Sequence, residues 1–310
     1  MKILLVVVIA VAVVILSGGY YVFMKACHRE EEVHWDDPAA LRETNWAPLA
    51  DKIQAAARYL EENNARDIWT GSYDGLKLHA RWLPADRAVG TILLFHGYRS
   101  CALSDFSVII PFYHGLGFNL LLADQRSHGK SEGKFITFGI REHQDVLTWI
   151  AYHNENFGNQ PVFLGGMSMG ATTVLMAAGE SLPDNVRGVS ADCGFTNPEE
   201  IVGEVMRHAH IPTFPLLNVA GLFTKIFAGF GLREYSTIRA METCRIPVLM
   251  LHGTEDHFVP CKMSQKAYEA CKSEKQLILV EGATHGTSYL TDQSRCQSAL
   301  ENFFMDHLHN

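Results

Sequence analysis

Val162-Phe163-Leu164-Gly165-Gly166-Met167-Ser168-Met169-Gly170 runs without a break into residues 171–178, Ala-Thr-Thr-Val-Leu-Met-Ala-Ala. The opening residues form a short apolar run of the kind buried on both faces of a parallel sheet, and the closing ones are good helix formers. Between them, Gly166-x-Ser168-x-Gly170 is the five-residue pattern of a strained strand-to-helix turn. Its glycines leave room beside a serine whose hydroxyl is lifted clear of the sheet at a helix N-terminus. By itself the pattern is short enough to arise in an ordinary glycine-rich turn. The strand before it and the helix after it give Ser168 the expected role of nucleophile.

Similar apolar runs recur on either side, at residues 91–95, 119–123, 186–191, 248–251 and 276–280. Residues 67–70 and 76–83 flank the turn signal Tyr73-Asp74-Gly75 and predict an opening antiparallel pair. Helical stretches fall between the runs at 106–115, 139–156, 171–178, 262–271 and 294–307. The alternation predicts an α/β domain with a mostly parallel sheet, covered by helices on both faces, whose functional loops line the carboxyl edge of the strands. Residues 196–243 break it: they carry an apolar stretch including Phe214, Leu216, Leu217, Leu222, Phe223, Ile226 and Phe227 but no clear strand, and predict a helical cap insertion roofing the site. Simple packing of those side chains onto the core is the alternative.

A serine hydroxyl needs a base to take its proton. Among the 15 histidines, His285 stands in Glu281-Gly282-Ala283-Thr284-His285-Gly286, in a loop between the last apolar run and the final helix. His96, His128 and His252 also lie near strand ends but precede the acid in the chain order nucleophile, acid, base, and His257 stands directly beside it. Asp256 meets that order in His252-Gly253-Thr254-Glu255-Asp256, with Glu255 and Asp192 as rival carboxylates. An oxyanion needs two backbone donors. Met169 N–H is the first, and Tyr98 N–H, in His96-Gly97-Tyr98 after the run 91–95, is the second.

Together these residues resemble the α/β-hydrolase superfamily from about Asp67 to the C-terminus. The resemblance extends to Asp124-Gln125-Arg126-Ser127-His128-Gly129-Lys130-Ser131-Glu132-Gly133, similar to a DxRxxGxSxG loop to which no catalytic role is assigned. With the hydrophobic N-terminus, the chain looks like the membrane-associated bacterial hydrolases of the YqkD type. The resemblance implies the α/β-hydrolase fold and a carboxylesterase- or lipase-like serine hydrolase that forms an acyl-enzyme, with a small acyl ester or similar apolar substrate and no cofactor or metal. A peptidase acting on short peptides, a thioesterase or acyltransferase, and a membrane-tethered scaffold with an inactive hydrolase fold share the same residues.

The N-terminus carries a separate signal. Residues 3–16 are all aliphatic, and after Ser17-Gly18-Gly19 the run continues through Met24. These 22 residues would rise about 33 Å as a helix, enough to cross a hydrocarbon core, with Tyr20, Tyr21 and Phe23 where aromatic belts sit. We read residues 1–26 as a transmembrane anchor, 27–66 as an amphipathic helical linker carrying Trp46, Leu49, Ile53, Ala56 or Ala57, and Leu60, and 67–310 as the catalytic domain. A cleaved signal peptide competes, since the purely aliphatic part is short, although no convincing cleavage site follows it. The charges flanking the anchor lean towards an extracytoplasmic catalytic domain.

Of the 310 residues 47% are apolar, enough for one large core, and the net charge of −8 offers no basic field to hold nucleic acid. The seven cysteines are scattered without zinc-binding spacing and read as buried or incidental thiols; their odd number leaves at least one unpaired within the chain.

Overall fold

The computed structural model describes residues 1–30, 41 and 47–308. Eight strands form one sheet: β1 (Arg66–Gly71), β2 (Lys77–Leu83), β3 (Gly90–Phe95), β4 (Phe118–Asp124), β5 (Val162–Met167), β6 (Val186–Asp192), β7 (Val248–Gly253) and β8 (Lys275–Val280). Their order is β1-β2-β4-β3-β5-β6-β7-β8. β2 runs antiparallel to both β1 and β4, and every other pair is parallel. The central strands β3, β5 and β7 have almost no exposed residue, as strands covered on both faces must.

Three groups of helices complete the fold. On one face, α5 (Glu142–Phe157), α6 (Met169–Ala177), α9 (Thr237–Thr243) and α10 (Lys262–Ala270) bury a core around Trp149, Val174 and Met250. On the other, α2 (Ala50–Glu62), the short helices α3 (Ala102–Asp105), α4 (Ile110–Gly115) and α11 (Ser288–Thr291), and α12 (Gln293–His307) cover Phe118, Phe163 and Phe304. The third group joins α1 (Lys2–Cys27) to the insertion, which folds as α7 (Pro198–His208), α8 (Leu216–Phe223) and a π-helical turn (Thr224–Ala228) before α9.

Two expectations differ in detail. The helix expected over 106–115 is shorter: only α4, from Ile110, lies in that range, and α3 precedes it with turns between them. Pro111 in the first turn of α4 has no N–H to give to a preceding turn, so the helix restarts there. Most of the insertion's apolar stretch lies against α1 rather than over the catalytic edge, although Ile211 lines a cavity with Ser168. α8 lies along α1, with Tyr20 edge-on to Phe223 at 5.4 Å and Phe23 stacked on Phe227 at 5.9 Å. α7 shares a cavity with Ser168 through Ile201, Val202 and Met206.

After α1, His28 is extended and bridges Phe135. Ile53, Ala56 and Leu60 form the buried face of α2, while Trp46, the first residue of the expected stripe, lies outside the described residues. α1 is one helix long and apolar enough to cross a membrane, and among the described residues it is the sole one. All seven cysteines are free, six of them buried.

Candidate active site

β5 delivers the chain to Ser168, which adopts φ 53° and ψ −114°. Positive φ is costly for a residue with a Cβ and persists only where the surroundings enforce it. Here they do: Ser168 N–H donates to Asp192 O at 2.8 Å, and α6 begins at the next residue. The glycines of the turn are equally constrained. A Cβ on Gly170 would lie 1.8 Å from Phe95 O, and one on Gly166 would lie 2.3 Å from Gly170 O.

Parallel register brings the ends of β3, β5, β6 and β7 to one edge, so loops far apart in sequence converge on this serine. His285 Nε2 lies 2.9 Å from Ser168 Oγ, and His285 Nδ1 lies 2.7 Å from Asp256 Oδ2. Ser168 is 8% and Asp256 4% exposed, so little water competes for these contacts. Phe258 packs its ring edge-on against the imidazole of His285. The base and acid loops are also tied to each other, through Glu255 N–H to Ala283 O at 2.9 Å.

Asp256 is held from both sides. Its Oδ1 accepts the N–H groups of Phe258 at 3.0 Å and Val259 at 2.8 Å, and its Oδ2 faces His252 Nε2 at 3.2 Å as well as His285. Burial alone would raise this carboxyl, but the hydrogen bonds with His252 and His285 outweigh it and hold Asp256 below the usual carboxylate range. The rival acids are engaged elsewhere. Asp192 accepts Ser288 Oγ–H at 2.9 Å, and burial pushes its carboxyl up. Glu255 is exposed and lies beside His257.

The turn after β3 lies directly above the serine, where a Cβ on Gly97 would come 3.4 Å from Ser168 Cβ. Gly97 N–H donates to buried Asp105 Oδ2 at 2.6 Å, which fixes the turn. Neither Tyr98 N–H nor Met169 N–H has a protein acceptor among the described residues. Three other strand-end histidines hold loops. His96 Nε2 accepts Gln125 N–H, His128 Nε2 accepts Arg99 N–H, and His252 Nδ1 meets Ser264 Oγ at 2.7 Å. Arg126, in the loop after β4, is clamped by Asp145 and Asp74 away from the serine.

Two positioning residues, Asp105 and His252, gave no usable sequence signal. Aspartate after serine is commonplace, and His252 differs from any strand-end histidine only through its contacts. Cys193 Sγ comes within 4.8 Å of donor atoms of Asp256 and His285, a spacing compatible with a metal. Burial holds the Cys193 thiol well above its ordinary range, and the other two groups are already paired with each other.

Two cavities meet at Ser168. One, of about 690 Å³, runs under the base loop past Asp105, Asp192, His285 and Tyr289. The other, of about 270 Å³, lies between α1 and α7 and is walled almost entirely by carbon.

Comparison with known proteins bears on the fold. Residues 90–242 match a family model described as alpha/beta hydrolase fold, and residues 215–291 match one described as Serine aminopeptidase, S33. The uncharacterized protein YqkD of Bacillus subtilis (strain 168) is 31% identical over 216 residues, covering 69% of this chain and 70% of its own. Caffeoylshikimate esterase of Arabidopsis thaliana is 25% identical over 278 residues, covering 75% and 79%. The Pyrococcus furiosus esterase Pf2001 shares the fold with a TM-score of 0.65 at 22% identity, over 80% of this chain and 94% of that one. A sheet of this order with its strained serine turn, and a relative of that identity across more than two thirds of both chains, make this hydrolase a member of the α/β-hydrolase superfamily.

Proposed function

We propose that the protein is a serine hydrolase of acyl esters, tethered to a membrane by α1 with its catalytic domain on the extracytoplasmic side. The observation that carries the chemistry is the continuous proton path from Ser168 Oγ through the His285 ring to Asp256, at 2.9 and 2.7 Å. In this reading Ser168 Oγ attacks the acyl carbon as its proton passes to His285 Nε2. Asp256 accepts from Nδ1–H, keeping the tautomer in which Nε2 is free to receive that proton, and balances the imidazolium that forms. The oxyanion is received by Met169 N–H and Tyr98 N–H, which have no acceptor among the described residues. His285 returns the proton to the leaving alkoxide, and water then releases the acyl group by the same path. None of these steps requires a metal or organic cofactor.

Esterase chemistry is supported by the carbon-walled cavity beside Ser168 and by the esterases among the similar proteins. A peptidase reading has one specific support, the match of residues 215–291 to the Serine aminopeptidase, S33 model. Hydrolysis of p-nitrophenyl esters set against aminoacyl p-nitroanilides separates the two. The ester reading expects kcat/KM at least a hundredfold higher on the ester, and comparable rates on the amide would replace it with peptidase action.

A further inference from the structure

α1 is more than a tether. Its N-terminal part, residues 2–16, is exposed except for half-buried Ile15, but Gly19, Val22, Phe23 and Cys27 are buried against the catalytic domain. The close approach depends on Gly18 and Gly19: a Cβ on Gly19 would sit 2.4 Å from Val219 Cγ1, and one on Gly18 would sit 2.9 Å from Leu216 Cδ2. Past the packed turn, the chain is bonded to the domain beside the serine. Tyr98 Oη–H donates to Ala26 O at 2.9 Å, Arg99 Nη2 donates to Lys25 O at 2.7 Å, and Ile136 N–H donates to Cys27 O at 2.6 Å.

The smaller cavity at Ser168 is a product of this docking. Tyr21, Val22 and Ala26 of α1 face Ile201, Val202 and Met206 of α7 across it, and Ser168 lies at its inner end. The surface outside is apolar too. Phe214 is 80%, Leu222 51%, Ile226 61% and Phe227 53% exposed, on the segment that flanks α1. Water-facing rings of this kind, continuous with a helix long enough to cross a bilayer, suit a lipid surface.

Building on the serine hydrolase reading, we propose that α1 is a wall of the acyl-binding site. The substrate is a fatty-acyl ester of the lipid in which α1 stands, its chain lying between α1 and α7 and its ester carbon at Ser168 Oγ. The anchor thereby sets chain-length selectivity, because a larger side chain at Val22 or Val202 shortens the cavity.

The full-length protein in detergent micelles is assayed on p-nitrophenyl butyrate, octanoate, dodecanoate and palmitate, for wild type, Val22→Trp and Val202→Trp. The expected result is a kcat/KM ratio of dodecanoate to butyrate that falls tenfold or more in each variant. In parallel, a long-chain alkyl fluorophosphonate ending in a diazirine is attached at Ser168 and irradiated. Crosslinks within residues 21–26 and 201–206 are expected, in wild type alone if a variant fails to fold. Ester hydrolysis with unchanged ratios, or crosslinks confined to other segments, overturns the wall while leaving the hydrolase intact. No hydrolysis at any chain length and no phosphonate adduct at Ser168 overturns both.

Discussion

Replacing Asp256 by asparagine changes one heavy atom and inverts a tautomer. The two N–H groups from Phe258 and Val259 that bind Oδ1 require an oxygen at that position, so the asparagine amide must put its oxygen there and its NH2 at the site of Oδ2. That NH2, 2.7 Å from His285 Nδ1, can only donate. Nδ1 must then be the bare nitrogen, and the ring proton moves to Nε2, which points at Ser168 Oγ 2.9 Å away. A base already carrying its proton cannot accept another. The loss expected for a triad aspartate inverted in this way is on the order of ten-thousandfold in kcat, about 5 kcal/mol of transition-state stabilisation, with a small change in KM. The NH2 also meets the ring of His252, whose Nε2 lies 3.2 Å from Oδ2, so about 1–3 kcal/mol of stability should go as well. Steady-state hydrolysis of p-nitrophenyl butyrate by Asp256→Asn, with a thermal melt to confirm folding, measures both. Asp192→Asn is the control, since that carboxyl binds Ser288 and not the base, and less than tenfold loss is expected. A folded Asp256→Asn enzyme within tenfold of wild type, or a larger loss at Asp192, would refute the assignment of the acid.

Two further outcomes concern the loops behind the site. His128 is buried, its Nε2 accepting Arg99 N–H at 3.0 Å while Nδ1 donates to Arg126 O at 2.9 Å, and burial lowers it from an ordinary 6.5 to about 3. The unfolded chain therefore takes up this proton first. Stability is intact above pH 6.5 and falls by about 1.4 kcal/mol per unit as the pH drops towards the folded value. Denaturant melts from about pH 7.5 to about pH 5 should show a shallower acid slope in His128→Asn than in wild type, and equal slopes would count against it. Arg126 reaches both Asp145 and Asp74 with two contacts each, so Arg126→Met strands the buried Asp145 carboxylate. A loss of about 3–5 kcal/mol in chemical denaturation is expected. A loss under about 1 kcal/mol would mean that the pair is no better than a surface bridge.

Much of this architecture is legible in the residues because the physics behind it is local. A strand buried on both faces must be a short apolar run, and so the runs at 91–95, 119–123 and 248–251 sit inside β3, β4 and β7. Gly166-x-Ser168-x-Gly170 is legible because its crowding leaves no alternative to glycine. His285 and Asp256 follow from chain order. What escapes depends on distance in three dimensions. The residues of the insertion are apolar whether they roof the site or lie against α1. The choice is made by the fit of Leu216 and Val219 against Gly18 and Gly19, two hundred positions away. Asp105 and His252 act through hydrogen bonds to a turn and to another acid, which no spacing rule encodes.

The central claim is that Ser168 is the one serine activated by this fold. Incubating the folded full-length protein with a fluorophosphonate and mapping the adduct by peptide mass spectrometry tests it directly. A single stoichiometric adduct on Ser168 is predicted, lost in Ser168→Ala and strongly slowed in His285→Ala. A folded wild-type protein that takes up no label, or carries it on another serine with Ser168 unmodified, would contradict the account.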